Sequence, residues 1–177
     1  MSQVTLGGNP VNTSGDLPAV GTSAPSFDLA GVDLGNISSA DLVGQNVVLN
    51  IFPSVDTPTC ATSVRTFNER AAGLDNTVVL CVSADLPFAQ GRFCGAEGIA
   101  NVKTASTFKS SFGDDYGVNL VDGKLAGVLA RAVVVVGPDG NVKHTELVGE
   151  IAQEPNYDAA LGALVDGHPV RYFVTAG

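Results

Sequence analysis

The sequence predicts an α/β fold: a central mixed sheet flanked by helices, preceded by an N-terminal β-hairpin. Three observations predict it. Two short, β-branched apolar runs, residues 46–52 and 76–84, flank a segment with helical spacing, which is a strand–helix–strand unit with a parallel pair. Residues 132–136 and 141–148 flank Gly137-Pro138-Asp139-Gly140, which is a hairpin around a turn. No repeat, low-complexity tract or linker interrupts residues 1–177, a length that one domain can span while burying most of its apolar surface.

The elements follow in order. Val4-Thr5-Leu6 and Val11-Asn12-Thr13 flank the turn cluster Gly7-Gly8-Asn9-Pro10 and form the first hairpin. Residues 17–25 are an irregular connector with two prolines, leading into Phe27-Asp28-Leu29-Ala30. Residues 38–44 fit one or two helical turns, capped by serine and stopped by glycine. After the 46–52 strand, Pro53 cannot donate to a ladder, and Thr57-Pro58 reads as an N-cap followed by a first helical residue. Cys60, Val64, Phe67, Ala71 and Leu74 then recur at steps of three or four as one apolar stripe. Arg65 and Glu69 form an i,i+4 pair on the other side, and Gly73 marks the end. Asp85 is the expected N-cap of a second helix running to about Cys94-Gly95. Residues 102–105 read as a strand, 107–112 as a short helix, and 157–165 as a final helix ending at Gly167. A βαβ…ββα order with a cysteine opening the first long helix is thioredoxin-like.

Cys60 is where chemistry concentrates. In the first turn of a helix its sulfur sits among unpaired N–H groups and the positive end of the dipole, both of which favour thiolate over thiol. A small buried hydrophobe that happens to start a helix is the other reading of the same position. Arg131 is a lone cation directly before five apolar residues, Ala132 to Val136. It is either a charge exposed at a strand end or a buried cation in need of an anion, for which the Cys60 thiolate is a candidate.

Composition excludes several functions. A net charge of −9 opposes nucleic-acid phosphates. No run approaches the length of a membrane span, and the first residues carry neither a basic region nor an apolar core, so a cytoplasmic location is expected. Three cysteines cannot all pair within one chain. Cys81, between Leu80 and Val82, reads as core packing. No Cys or His pair has metal-ligand spacing, no C-x-x-C is present, and His144 and His168 neighbour no cysteine in any motif, so neither a metal site nor a cofactor is expected.

Pro53-x-x-x-Thr57-x-x-Cys60 resembles the active-site signature of the peroxiredoxins. The run Ser54-Val55-Asp56-Thr57-Pro58-Thr59-Cys60-Ala61-Thr62-Ser63-Val64-Arg65-Thr66-Phe67-Asn68 is similar to the thiol peroxidase branch of that family. So is Ser83-Ala84-Asp85-Leu86-Pro87-Phe88-Ala89-Gln90-Gly91-Arg92-Phe93-Cys94-Gly95-Ala96-Glu97-Gly98-Ile99. Thr59 departs from the branch, which usually has an apolar residue there, but no catalytic group is lost.

The resemblance implies a reductase of hydrogen peroxide and organic hydroperoxides that uses two cysteines of one chain. By that analogy Cys60 is the peroxidatic nucleophile, kept anionic and open to oxidant, and becomes a sulfenic acid. Thr57 offers its hydroxyl to thiolate and peroxide, Pro53 shields the sulfur from water, and Arg131 stabilises the developing charge. Cys94 is the resolving thiol of an intramolecular disulfide, which thioredoxin reopens, and the branch commonly forms homodimers. A disulfide needs Cα atoms about 4.4–6.8 Å apart. Two cysteines on packed helix ends are therefore expected to meet only after both ends unwind, which Gly91 would ease. Phe52, Val55, Phe112, Leu147 and Ile151 are expected to line the pocket. A redox sensor or relay using the same two thiols is the alternative function.

Overall fold

The computed structural model describes residues 1–165. A two-stranded hairpin comes first, β1 (Gln3–Leu6) with β2 (Asn9–Asn12). The main sheet has seven strands in the order β4-β3-β7-β6-β5-β8-β9. Its members are β3 (Asp28–Ala30), β4 (Asn36–Ser38), β5 (Asn46–Ile51), β6 (Thr77–Ser83), β7 (Lys103–Ser106), β8 (Ala132–Val136) and β9 (Val142–Leu147). β5, β6 and β7 run parallel to one another, and the other pairings are antiparallel. The helices are α1 (Pro58–Ala71), α2 (Pro87–Glu97), the single turn α3 (Phe112–Asp115) and α4 (Tyr157–Gly162). This is the mixed, thioredoxin-like sheet with flanking helices and leading hairpin that the sequence predicts.

Alternation along the central strands sorts the core into two faces. Val47, Leu49 and Ile51 of β5 join Ala132, Val134 and Val136 of β8 on one side, under Phe27, Phe112 and Tyr116. Val48 of β5 joins Val133 and Val135 on the other, under Cys60, Val64 and Phe67 of α1 and Ala160 of α4. Fully burying one such side chain stabilises by about 1.5–3 kcal/mol, which is why strands apolar on both faces settle at the centre of the sheet. A third cluster ties the N-terminal hairpin, through Val4 and Val11, to Leu120, Ala130 and Ile151.

Several local expectations change. The short helix expected at 107–112 begins only at Phe112. Ser106 and Ser110 hydroxyls accept the N–H groups of Phe108 and Phe112, an alternative to helical pairing that serine offers readily. Arg65 bonds Glu97 on α2 at 2.6 Å rather than Glu69. Leu86, not Asp85, is the N-cap of α2. Thr57 has N-cap backbone angles, but its hydroxyl donates to the Ser54 carbonyl at 3.1 Å and accepts no N–H of the first turn. The helix α4 stops at Gly162 and continues as a 3-10 turn, Ala163–Val165; Gly167 and His168 lie outside the described residues. Gly73, with φ of 83°, takes the left-handed conformation just past α1.

Candidate active site

The sheet delivers the site. β5 and β6 run in register from Asn46 opposite Thr77 to Ile51 opposite Val82, and both end at the same edge. Beyond β5, Phe52 and Pro53 are buried, and residues 54–57 carry the chain round to α1. Pro58 opens that helix and Cys60 is its third residue, so the thiol lies in the first turn on the face that looks into the protein.

The Cys60 sulfur is buried, with 0% relative exposure. That differs from the open thiol expected: the side chain lies in one cluster with buried Phe52, Val55 and Val64. Arg131 is also buried, at 2% exposure, and points inward. Its Nη2 donates to Cys60 Sγ at 3.2 Å and its Nε donates to the Ile151 carbonyl at 2.7 Å. Its Nη1 has no partner among the described residues. Of the two readings of Arg131, the structure takes the buried cation facing the sulfur. A guanidinium suits the role because its fixed fork serves two acceptors at once.

The segment after β9 holds this cation in place. Thr59 Oγ1 donates to the Ala152 carbonyl at 3.0 Å, so the first turn of α1 is tied to the same stretch that binds Arg131. Glu150 anchors that stretch to the N-terminal hairpin. Its carboxylate accepts from the N–H groups of Ala152, Gly8 and Gly7 and from the Thr5 hydroxyl. These bonds, that of Ala152 foremost, lower its pKa to about 2.

Beneath the first turn lies a polar cluster that the sequence reading missed. Ser63 Oγ donates to the Cys60 carbonyl at 2.8 Å, and Asn50 Nδ2 donates to Ser63 Oγ at 3.2 Å. Asn50 Nδ2 also lies 3.7 Å from Cys81 Sγ. An asparagine in a strand buried on both faces was the available signal. Burial pushes the Cys81 thiol up to about 12, outweighing the Asn50 contact, and Cys81 is a fully buried core group in the same cluster as Cys60.

Cys94 sits on α2, half-buried, with Sγ 3.7 Å from Thr104 Oγ1. Burial raises its pKa, and the Thr104 contact partly offsets that. All three cysteines are free thiols. Cys94 packs at the margin of the cluster that encloses Cys60. Of the expected pocket residues, Phe52 and Val55 surround the sulfur, and Ile151 contributes its carbonyl. Leu147 packs against the other two clusters. Phe112 lies on the opposite face of the sheet, stacked on Tyr116 at 4.3 Å. Among the described residues no group of His, Cys, Asp or Glu has the arrangement of a metal site, and no helix is long and apolar enough to cross a membrane.

The family described as Redoxin matches residues 19–161. The thiol peroxidase of Mycobacterium tuberculosis is 68% identical over 164 residues, 93% of this chain and 99% of that protein. The thiol peroxidase of Corynebacterium glutamicum is 57% identical over the same shares. A crystal structure of a peroxiredoxin-like protein from Aquifex aeolicus superposes with a TM-score of 0.86 at 41% identity, covering 92% of this chain and 95% of that one.

Proposed function

The chain belongs to the redoxin family, in its thiol peroxidase branch, and from that premise we propose that it reduces hydroperoxides through a Cys60 sulfenic acid resolved by Cys94. The observation that carries the proposal is Arg131 Nη2 at 3.2 Å from Cys60 Sγ, with Nη1 buried beside it and unpaired among the described residues. One arm donates to the sulfur that attacks. The other is free to take charge as the peroxide O–O bond breaks. The thiolate gives an electron pair to the terminal oxygen, the O–O bond cleaves, and the alkoxide or hydroxide leaves with a proton as alcohol or water. Thr57 keeps open lone pairs, but its proton is committed to Ser54; it reaches peroxide only if that bond turns. Pro53, buried where β5 ends, keeps water from the sulfur.

Resolution follows. The Cys94 thiolate attacks the sulfenic sulfur, the S–O bond breaks, the oxygen leaves as water, and a Cys60–Cys94 disulfide forms. An external dithiol of the thioredoxin type returns both sulfurs to thiols. The proposal includes a cytoplasmic setting, where such reductants are maintained, and a homodimer. Exposed Leu86, Phe88 and Phe108 offer apolar surface for the dimer, on two segments joined by the Ser106 hydroxyl donating to the Asp85 carbonyl.

The test is steady-state NADPH consumption with thioredoxin and thioredoxin reductase after peroxide addition. Many turnovers are expected, with none in Cys60→Ser. In Cys94→Ser a sulfenic acid should be trapped and located on Cys60 by mass spectrometry. Sulfenic acid at Cys81, or turnover that survives Cys60→Ser, overturns the assignment.

A further inference from the structure

One carboxylate joins the two segments that carry the thiols. Asp85 Oδ1 accepts from Ser54 Oγ at 2.7 Å, and Oδ2 accepts from the Val55 N–H at 2.9 Å. Those donors sit in the loop that leads into Cys60. Oδ2 also accepts from Ser83 Oγ at 2.6 Å, and Ser83 Oγ in turn accepts from Gln90 Nε2 at 3.0 Å. Gln90 is fully buried on α2, one turn before Cys94. Each serine hydroxyl gives one bond and takes one, since Ser54 Oγ also accepts the Asp56 N–H. A continuous chain of hydrogen bonds therefore runs from the Cys60 loop through Asp85 to the Cys94 helix. Bonds to a carboxylate are roughly twice as strong as neutral ones.

Two ion pairs span the same elements, Arg92 with Asp56 and Arg65 with Glu97. The first is 64% and 62% exposed, so water and salt screen most of it. Asp85, only partly exposed and holding three donors, is the stronger tie.

We propose that Asp85 is a positioning residue, a latch that keeps the Cys60 loop and the Cys94 helix in the closed arrangement and so limits passage from sulfenic acid to disulfide. The proposal rests on the peroxidase reading above. Forming the disulfide means bringing a buried sulfur to one on a neighbouring helix, which moves both segments. The latch must let go of at least one of them first. While it holds, the sulfenic acid stays beside Arg131, where a second peroxide can take it to sulfinic acid. A tight latch thus favours over-oxidation and a loose one favours resolution.

The experiment compares Asp85→Ala with wild type by rapid quenching, alkylation and mass spectrometry. It reads the rate of Cys60–Cys94 disulfide formation and the peroxide dose that converts half of Cys60 to sulfinic acid. Both should rise at least threefold in Asp85→Ala and less in Asp85→Asn, which keeps one acceptor. Ser54→Ala removes one of the three bonds to the Asp85 carboxylate, together with the local Asp56 N–H bond, and should move both readouts the same way, so the test survives if Asp85→Ala folds poorly. Arg70→Ala breaks an exposed pair with Asp158 that links α1 to α4 outside this chain, and it should leave the partition unchanged. Unchanged rate and dose in both Asp85→Asn and Ser54→Ala, with the disulfide still forming, overturn the latch alone. If wild type forms no Cys60–Cys94 disulfide, or Cys94→Ser gives no sulfenic acid on Cys60, the peroxidase reading falls and the latch with it.

Discussion

Replacing Arg131 by Met keeps the volume of the buried stem and deletes the charge. Nη2 lies 3.2 Å from Cys60 Sγ. Unit charges at that separation attract by about 5 kcal/mol at an effective dielectric constant of about 20. A hydrogen bond to a charged group contributes about 1.5–3 kcal/mol once the desolvation of both partners is included. The smaller figure sets the floor, since about 1.4 kcal/mol corresponds to a factor of about ten. The second-order rate of Cys60 oxidation by hydrogen peroxide, followed by competition or stopped flow, should therefore fall at least about tenfold in Arg131→Met. Alkylation of Cys60 by iodoacetamide should fall by a similar factor, because that reaction also needs the thiolate but does not break an O–O bond. If peroxide reactivity falls much further than alkylation, the excess measures what the unpaired Nη1 adds at the leaving oxygen. Arg131→Lys should lie between, since one compact ammonium cannot serve both the sulfur and the Ile151 carbonyl. Far-UV circular dichroism and a melting curve check that each variant folds. A folded Arg131→Met protein within threefold of wild type in both rates refutes the reasoning.

Gly91→Ala should slow disulfide formation by up to about fivefold, because alanine favours a helix interior by about 1 kcal/mol and the new Cβ meets only Val32, at 3.7 Å; an unchanged rate removes the role given to that glycine. Burial holds Cys94 above its ordinary value, so its thiolate fraction, and with it the rate of disulfide formation, should climb as pH rises from 7 to 9. A flat profile contradicts this, and Thr104→Val, which deletes the opposing contact, should be slower at each pH. Cys81→Ala should retain peroxidase turnover, and native Cys81 should resist alkylation at pH 8, since its pKa is pushed up to about 12. The unfolded thiol ionises first, near 9, so this group's contribution to stability is complete below that value and is lost as pH rises toward 12. Urea denaturation at pH 7 and 10 should therefore show the wild type losing more stability than Cys81→Ala, and equal losses would sink the argument.

What was legible in the chain followed from strong local signals. The β5–α1–β6 unit announced itself because three cues agree: β-branched strands, Pro58 at the first helical position, and an apolar stripe at steps of three and four. The β8–β9 hairpin was equally plain, with Gly140 at φ of 84° in its turn. The strands β3 and β4 are three residues each, too short for a period to show; β3 is held by pairing with β7, and β4 adds to it as the edge strand. Asp85 looked like a cap because it precedes proline and a helix; only tertiary contacts revealed that Ser54, Val55 and Ser83 already claim its carboxylate. Arg65 had a helical partner in sequence and a better one on α2. Arg131 was undecidable locally, since a cation before an apolar strand reads the same whether it faces in or out.

The reduced site therefore satisfies two demands that oppose each other. Attack on peroxide wants the sulfur fixed against a cation in a water-poor pocket, and the structure provides this with Cys60 and Arg131 both buried. Resolution wants the same sulfur released to a second helix. The Ser63 hydroxyl on the Cys60 carbonyl and the Thr59 hydroxyl on the Ala152 carbonyl hold the first turn of α1 from below and from the side. Both bonds join side-chain hydroxyls to carbonyls, and water can replace each of them when the turn unwinds. The Arg131–Ile151 bond belongs to the frame and need not break. In the proposed cycle, a first turn tied by exchangeable bonds, on a frame whose cation stays put, would let one sulfur serve both steps while Arg131 remains in position for the next turnover.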